Sequence, residues 1–161
     1  MIKVITKGWA LELAQSIDKA QKIITLTALS FLPPNNHKPD DFGMLYASII
    51  SAANRIRDVN IILPQPSKQH PATAQNATTA KTLAGYGCKC LMHPMPSLLH
   101  AKTATIDHAE AWIGSGNFTA KAAMSNREAW MMSDDPRAIQ ELQNFQVMLA
   151  FQAIDEKYAK P

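Results

Sequence analysis

His100 and Lys102 stand two residues apart, an imidazole beside an ammonium. Imidazole can attack phosphorus or move a proton near neutral pH. The ammonium is a point charge with three donors. Asp107 follows at the spacing H-x-K-x4-D, and after six more residues the chain reads Gly114-Ser115-Gly116-Asn117. Glu128 lies eleven residues past Asn117. Ser115 and Asn117 add a hydroxyl and a carboxamide. One imidazole, one fixed cation and two neutral donors suit a phosphodiester, whose oxyanions are best stabilised by donors already in place.

Two short strands must present these groups. Thr103, Thr105 and Ile106, then Trp112 and Ile113, are β-formers, and residues 107–110 between them are polar enough to turn. With four residues in the turn, Ile106 pairs with Ala111, Lys102 falls opposite Ser115, and His100 falls opposite Asn117. Side chains two apart share a face, and paired residues lie about 5 Å apart. The hairpin thereby gathers all four groups on one patch. Asp107 sits in the turn, where it is assigned to side-chain-to-backbone hydrogen bonds and not to substrate. Residues 118–124 read as a short helix whose N-terminal N–H groups would favour an anion. A strand over residues 127–132 carries Glu128, which could accept from the other ring nitrogen of His100.

His100, Lys102 and Asp107, the Gly114-Ser115-x-Asn117 run and Glu128 together resemble the signature of the phospholipase D superfamily, with no departure at the motif positions. The resemblance implies phosphoryl transfer through a covalent phosphohistidine, without metal or other cofactor. It also implies two motif copies at one site, one histidine attacking phosphorus and the other protonating the departing oxygen. This chain has one copy: His37, His70, His93 and His108 each lack a lysine two residues on. The expectation is a homodimer with the active site at the two-fold interface and coupled His100 titrations. Within it His100 is nucleophile or acid, Lys102 and Asn117 hold phosphate, and Glu128 orients His100. Ser115 either contacts phosphate or braces the site through a neighbour.

Substrate class follows less directly. Small single-motif members of the superfamily are nucleases, and a formal charge of +3 with a pI near 8.9 is compatible with a polyanion. The expected partner is nucleic acid, DNA first, cut as a non-specific endonuclease. Lys38, Lys68 and Lys121 are candidate phosphate contacts or plain solvated lysines. The alternatives are a phospholipase or phosphatidyltransferase, entered past Met92, Met95, Leu98 and Leu99, and a nucleic-acid-binding module without turnover.

At 161 residues the chain is expected to form one catalytic domain over residues 1–161. Cys88 and Cys90 suit neither a disulfide nor a zinc site. Glu12 and Asp18 break the N-terminal apolar stretch, so no signal peptide is read, and no run is long enough to span a membrane. A cytoplasmic location is expected. Strands are predicted near residues 1–6, 22–31, 59–63 and 88–92, and helices over 8–20, 40–57, 73–86 and 136–157, with a loop at 33–40. Their alternation gives an α/β fold with a mixed central β-sheet flanked by helices on both faces.

Overall fold

The computed structural model describes residues 1–34 and 40–155. Its centre is three parallel strands, β2 (Ile23–Thr27), β3 (Asp58–Pro64) and β4 (Lys89–His93). β2 and β3 are short runs rich in β-branched residues, and β4 is mainly apolar; helices cover both faces of these strands, as parallel strands require. β5 (Lys102–Ile106) joins β2 antiparallel. β6 (Glu110–Gly114), β7 (Trp130–Ser133) and β1 (Ile2–Ile5) continue antiparallel beyond it. A two-residue strand, β8 (Ile154–Asp155), closes the other edge, giving the order β1-β7-β6-β5-β2-β3-β4-β8.

One face is covered by α1 (Trp9–Lys19), α2 (Asp41–Arg55), α3 (Asn76–Gly85) and the short α4 (Ala120–Met124). Leu13 and Ile17, Leu45 and Ile49, and Leu83 project from these helices at helical spacing. They pack on Ile24, Leu26, Ile61, Leu63 and Trp112 of the sheet. The opposite face carries α5 (Pro136–Gln152), which packs Ile139 and Leu142 on Ala111 and Leu149 on Ile62 and Leu99. Asp135 caps α5 from just before Pro136, accepting from the N–H of Arg137 and Ala138. Buried Gln146 fixes its position. Gln146 accepts from Thr105 Oγ1 at 2.7 Å and donates to Thr103 Oγ1 at 3.0 Å and to the Thr25 carbonyl at 3.2 Å.

The mixed sheet with helices on both faces is as the sequence predicts, but three boundaries differ. β2 ends at Thr27 and not near residue 31, because Ser30 and Phe31 leave the ladder to bond Asn117, Phe118 and Asn76. α3 begins at Asn76, after a separate 3₁₀ turn at Pro71–Thr73. The last helix ends at Gln152, since Ile154 pairs with Met92 as strand and does not extend the apolar stripe. Most of the predicted 33–40 loop, with His37 and Lys38, lies outside the described residues.

Candidate active site

The C-terminal ends of β2, β3 and β4 and the N-terminal end of β5 share one edge, where Thr27 pairs with Thr103 and Pro64 with His93. Ligands of open α/β sheets bind beyond the carboxyl ends of the strands. His100, Lys102 and the loop after β6 all reach this edge.

The β5–β6 hairpin forms one residue out of the predicted register. Ile106 pairs with Glu110, and Lys102 with Gly114, not Ser115. Asp107 and His108 both take positive φ, 53° and 57°, and Ala109 N–H donates to the Ile106 carbonyl at 2.9 Å. Such left-handed turns match the twist of a hairpin, and Asp tolerates the conformation better than most residues. Asp107 does hold backbone, but not that of its own turn. Its carboxylate accepts from the N–H of Gln21, Lys22 and Ile23 at 2.6, 2.8 and 3.0 Å, tying the hairpin to the start of β2. Burial works against the charge, yet the Ile23, Gln21 and Lys22 amides and the Lys22 ammonium outweigh it, so the pKa lies below the ordinary value.

His100 is exposed just before β5, whereas Lys102 is buried at its first position. The Lys102 ammonium lies 3.1 Å from Nδ1 and 3.4 Å from Nε2 of His100. Burial first, and the Lys102 charge second, lower the His100 pKa, favouring the neutral ring that a nucleophile needs. Burial also lowers the Lys102 pKa, while the negative charge of Glu128 opposes that fall.

Glu128 lies ahead of β7 and not within a strand. Within this chain its oxygens serve other groups than His100: Ser115 Oγ donates to Oε2 at 2.5 Å and Asn126 Nδ2 to Oε1 at 3.0 Å. Ser115 also accepts from Ala129 N–H at 3.1 Å and donates its own N–H to the Ala129 carbonyl. The displaced register has carried Ser115 across to the β7 side, where its hydroxyl proton is committed to Glu128. Asn126 went unnoticed in the sequence; its only signal is a second amide two residues before the carboxylate.

Asn117 is placed by the loop after β2 and not by His100. Its Oδ1 accepts from Ser30 N–H at 3.2 Å, which leaves the two Nδ2 hydrogens as its remaining donors. Phe118 N–H donates to the Ser30 carbonyl at 3.1 Å. Fully buried Asn76 steadies this loop, accepting from Phe31 N–H and donating to the carbonyls of Leu29 and Pro64. The predicted helix after Asn117 is only α4, and Thr119 already caps it by accepting from Ala122 N–H at 3.2 Å. Less of its N-terminus is left for an anion than the sequence predicts.

The glycines of the motif answer to aromatic packing. A Cβ on Gly114 would sit 2.1 Å from Cδ2 of Trp130, and one on Gly116 would meet Trp130 at 3.0 Å and Trp9 at 3.2 Å. Trp130 stacks on Trp9 with centroids 4.7 Å apart, and Phe118 packs edge-on against Trp9. Trp112 and Trp130 are buried in the core, and the motif loop lies on this aromatic floor. Among the described residues no group of three His, Cys, Asp or Glu side chains could hold a metal ion.

The fold and this site define a class, enzymes acting on phosphodiesters. A family model described as cardiolipin synthase, PLD-like domain, matches residues 13–149, and the chain belongs to that PLD-like family of the phospholipase D superfamily. Among solved structures it is similar to Nuc of Salmonella typhimurium, described as a phospholipase D family member. The TM-score is 0.76 and the identity 19%, over 96% of this chain and 97% of that one. NucT from Helicobacter pylori gives 0.73 and 20%, over 96% and 98%. Phosphatidylserine synthase of Haemophilus influenzae Rd KW20 gives 0.73 and 15%, over 99% of this chain and 40% of that one. No curated protein sequence matches. The chain thus carries the phosphodiesterase fold of the superfamily.

Proposed function

We propose that the protein is a metal-independent endonuclease acting on DNA through a covalent phosphohistidine at a site shared by two copies of the chain. The observation that carries this reading is the pairing of His100 with Lys102: an ammonium 3.1 Å from the ring which, after burial, lowers its pKa and favours the neutral form. One His100 attacks phosphorus, forming a P–N bond as the bond to the leaving oxygen breaks. The His100 of the second copy, in its charged form, gives that oxygen its proton. Water then attacks phosphorus, losing a proton to the now neutral second ring, and the P–N bond breaks. Lys102 and the Asn117 Nδ2 hydrogens hold the phosphoryl oxygens, Lys102 moving from the imidazole to the phosphate when substrate arrives. Glu128 supports Lys102 by charge, Ser115 braces Glu128, and Asp107 fixes the hairpin.

The need for a second copy follows from the count of one His100 and one Lys102 per chain, too few for attack and protonation in one cycle. An exposed apolar patch supports such a pairing. Val4, Met131 and Ile113 are cross-strand neighbours on β1, β7 and β6, and all three are exposed on the sheet face that α5 leaves open. Contiguous exposed apolar side chains of this kind mark interaction surfaces.

Similarity to Nuc and NucT supports the nuclease reading, as does a basic pI. Exposed Lys68 and Lys121 remain candidate backbone contacts. Lipid phosphodiesters form the second reading, supported by the description of the family model and by similarity to phosphatidylserine synthase. The apolar entrance that it wants is poorly supplied, since Met92 and Leu99 are buried in the core. No helix among the described residues is long and apolar enough to cross a membrane. The test is cleavage of supercoiled plasmid in excess EDTA by the wild type and by His100→Ala. Nicked and linear products from the wild type alone support the proposal; intact plasmid with turnover of a short-chain phospholipid would replace it by the lipid reading.

A further inference from the structure

A cleft of about 410 Å³ opens beside Asn117, and none of the steps above uses it. Leu32, Pro33 and Pro71 line one part of it; Gln75, Thr119 and Lys121 line another. We infer that this cleft takes the nucleoside adjoining the scissile phosphate, an inference that rests on the nuclease reading.

Position is the first argument. Asn117 belongs both to the candidate phosphate site and to the lining of the cleft, and Ser30, which holds the Asn117 carboxamide oxygen, lines it too. A phosphate bound by the Asn117 amide would lie beside the cleft, within reach for one of its two ester substituents to enter it. In a nucleic acid that substituent is a sugar bearing a base.

Chemistry is the second argument. A nucleoside is a flat, partly apolar body with hydrogen-bonding edges and charged neighbours. Leu32 and the two proline rings offer rigid apolar surface for its faces. The Gln75 amide has both donors and an acceptor for a base edge, and the Thr119 hydroxyl can serve either way. Lys121, exposed at the cleft, can meet the next phosphate. An acyl chain would leave these polar groups unpaired, which disfavours a lipid tail.

Rigidity is the third. Two of the walls come from the loops after β2 and β3 and the rest from the segment after β6; the buried Asn76 amide clamps the first two by its bonds to Leu29, Phe31 and Pro64. Thr73, wholly buried, accepts from Ser67 N–H and donates to the His70 carbonyl, bracing the 3₁₀ turn that carries Pro71. A pre-formed cleft binds without the cost of ordering it.

Two exposed positions allow a test without disturbing the core. Ala74 has helical backbone angles that a larger residue can adopt, and Gln75 makes no side-chain cap to α3. The experiment measures kcat/KM on hexathymidylate and on bis(p-nitrophenyl) phosphate for the wild type, Ala74→Trp and Gln75→Ala. The ratio of the two constants should fall at least about tenfold in Ala74→Trp and about threefold in Gln75→Ala. An unchanged ratio in both variants, with wild-type cleavage of hexathymidylate intact, overturns the cleft assignment and leaves the nuclease reading standing. A wild type that hydrolyses the small diester but not hexathymidylate overturns both. If Ala74→Trp loses both activities together, Gln75→Ala decides by its ratio.

Discussion

The Lys102 ammonium stands within 3.4 Å of both ring nitrogens of His100, and Glu128 bonds neither. Among the described residues the candidate nucleophile thus bonds a cation and no carboxylate. That arrangement favours the neutral ring in the free site, and the proposed second ring becomes the acid only as its own Lys102 turns to the bound phosphate.

The sign of this electrostatic effect is measurable. A positive neighbour disfavours imidazolium, so removing it raises the His100 pKa toward the ordinary value of about 6.5. NMR titration of the His100 ring in Lys102→Met should show that rise; burial, the larger cause, remains in the variant and holds the value somewhat low. A fall, or no change, would mean that Lys102 does not face the ring in solution. In the wild type the acid limb of kcat/KM should lie below that of an unperturbed histidine.

Glu128→Gln removes the charge that supports Lys102 and weakens the acceptor for Ser115. Turnover should fall by about tenfold or more, and Ser115→Ala should fall less, with a stability loss of about 1 kcal/mol for the missing hydrogen bond. Steady-state kinetics on a small diester check both. Greater damage from Ser115→Ala than from Glu128→Gln would contradict the assigned order of support.

Gly114→Ala should destabilise the protein by about 3 kcal/mol, because the added methyl enters the Trp130 ring plane and the Trp9 stack behind it cannot yield. Urea denaturation measures this. A midpoint equal to the wild type would show that the aromatic floor is loosely packed.

Asp107→Ala leaves three backbone N–H groups without their carboxylate and should cost about 2 kcal/mol at neutral pH, with the turnover of the folded protein largely kept. The pH dependence has a definite sign. The folded-state pKa of Asp107 is lowered, so its contribution is full above the unfolded value of about 3.9 and is lost as pH falls through the lower folded value. The stability difference between wild type and variant should therefore narrow in acid. A constant difference would remove the carboxylate from the account.

Much of this was legible in the sequence, because strand periodicity and turn chemistry are local. The alternation of β2, β3, β4 and their helices showed in the apolar pattern, and the H-x-K-x4-D and G-S-x-N spacing marked the edge that holds the candidate site. The hairpin register was not legible: two consecutive left-handed residues, Asp107 and His108, shorten the turn by one, which moves Ser115 from Lys102 to Glu128. The bonds of Glu128 and Asn117 depend on Asn126 and Ser30, and only tertiary approach brings Ser30 to Asn117. Ile154 fitted a helical stripe by spacing, yet β4 offered it an open strand edge.

The central claim is that phosphorus passes through a covalent bond to His100. The stereochemical course tests it most directly: a DNA linkage carrying a phosphorothioate of known configuration is cleaved in water enriched in oxygen-18, and the configuration of the product is read. Attack by His100 followed by attack by water inverts phosphorus twice, so net retention is predicted. Net inversion would mean that water attacks the diester in one step and would contradict the covalent route.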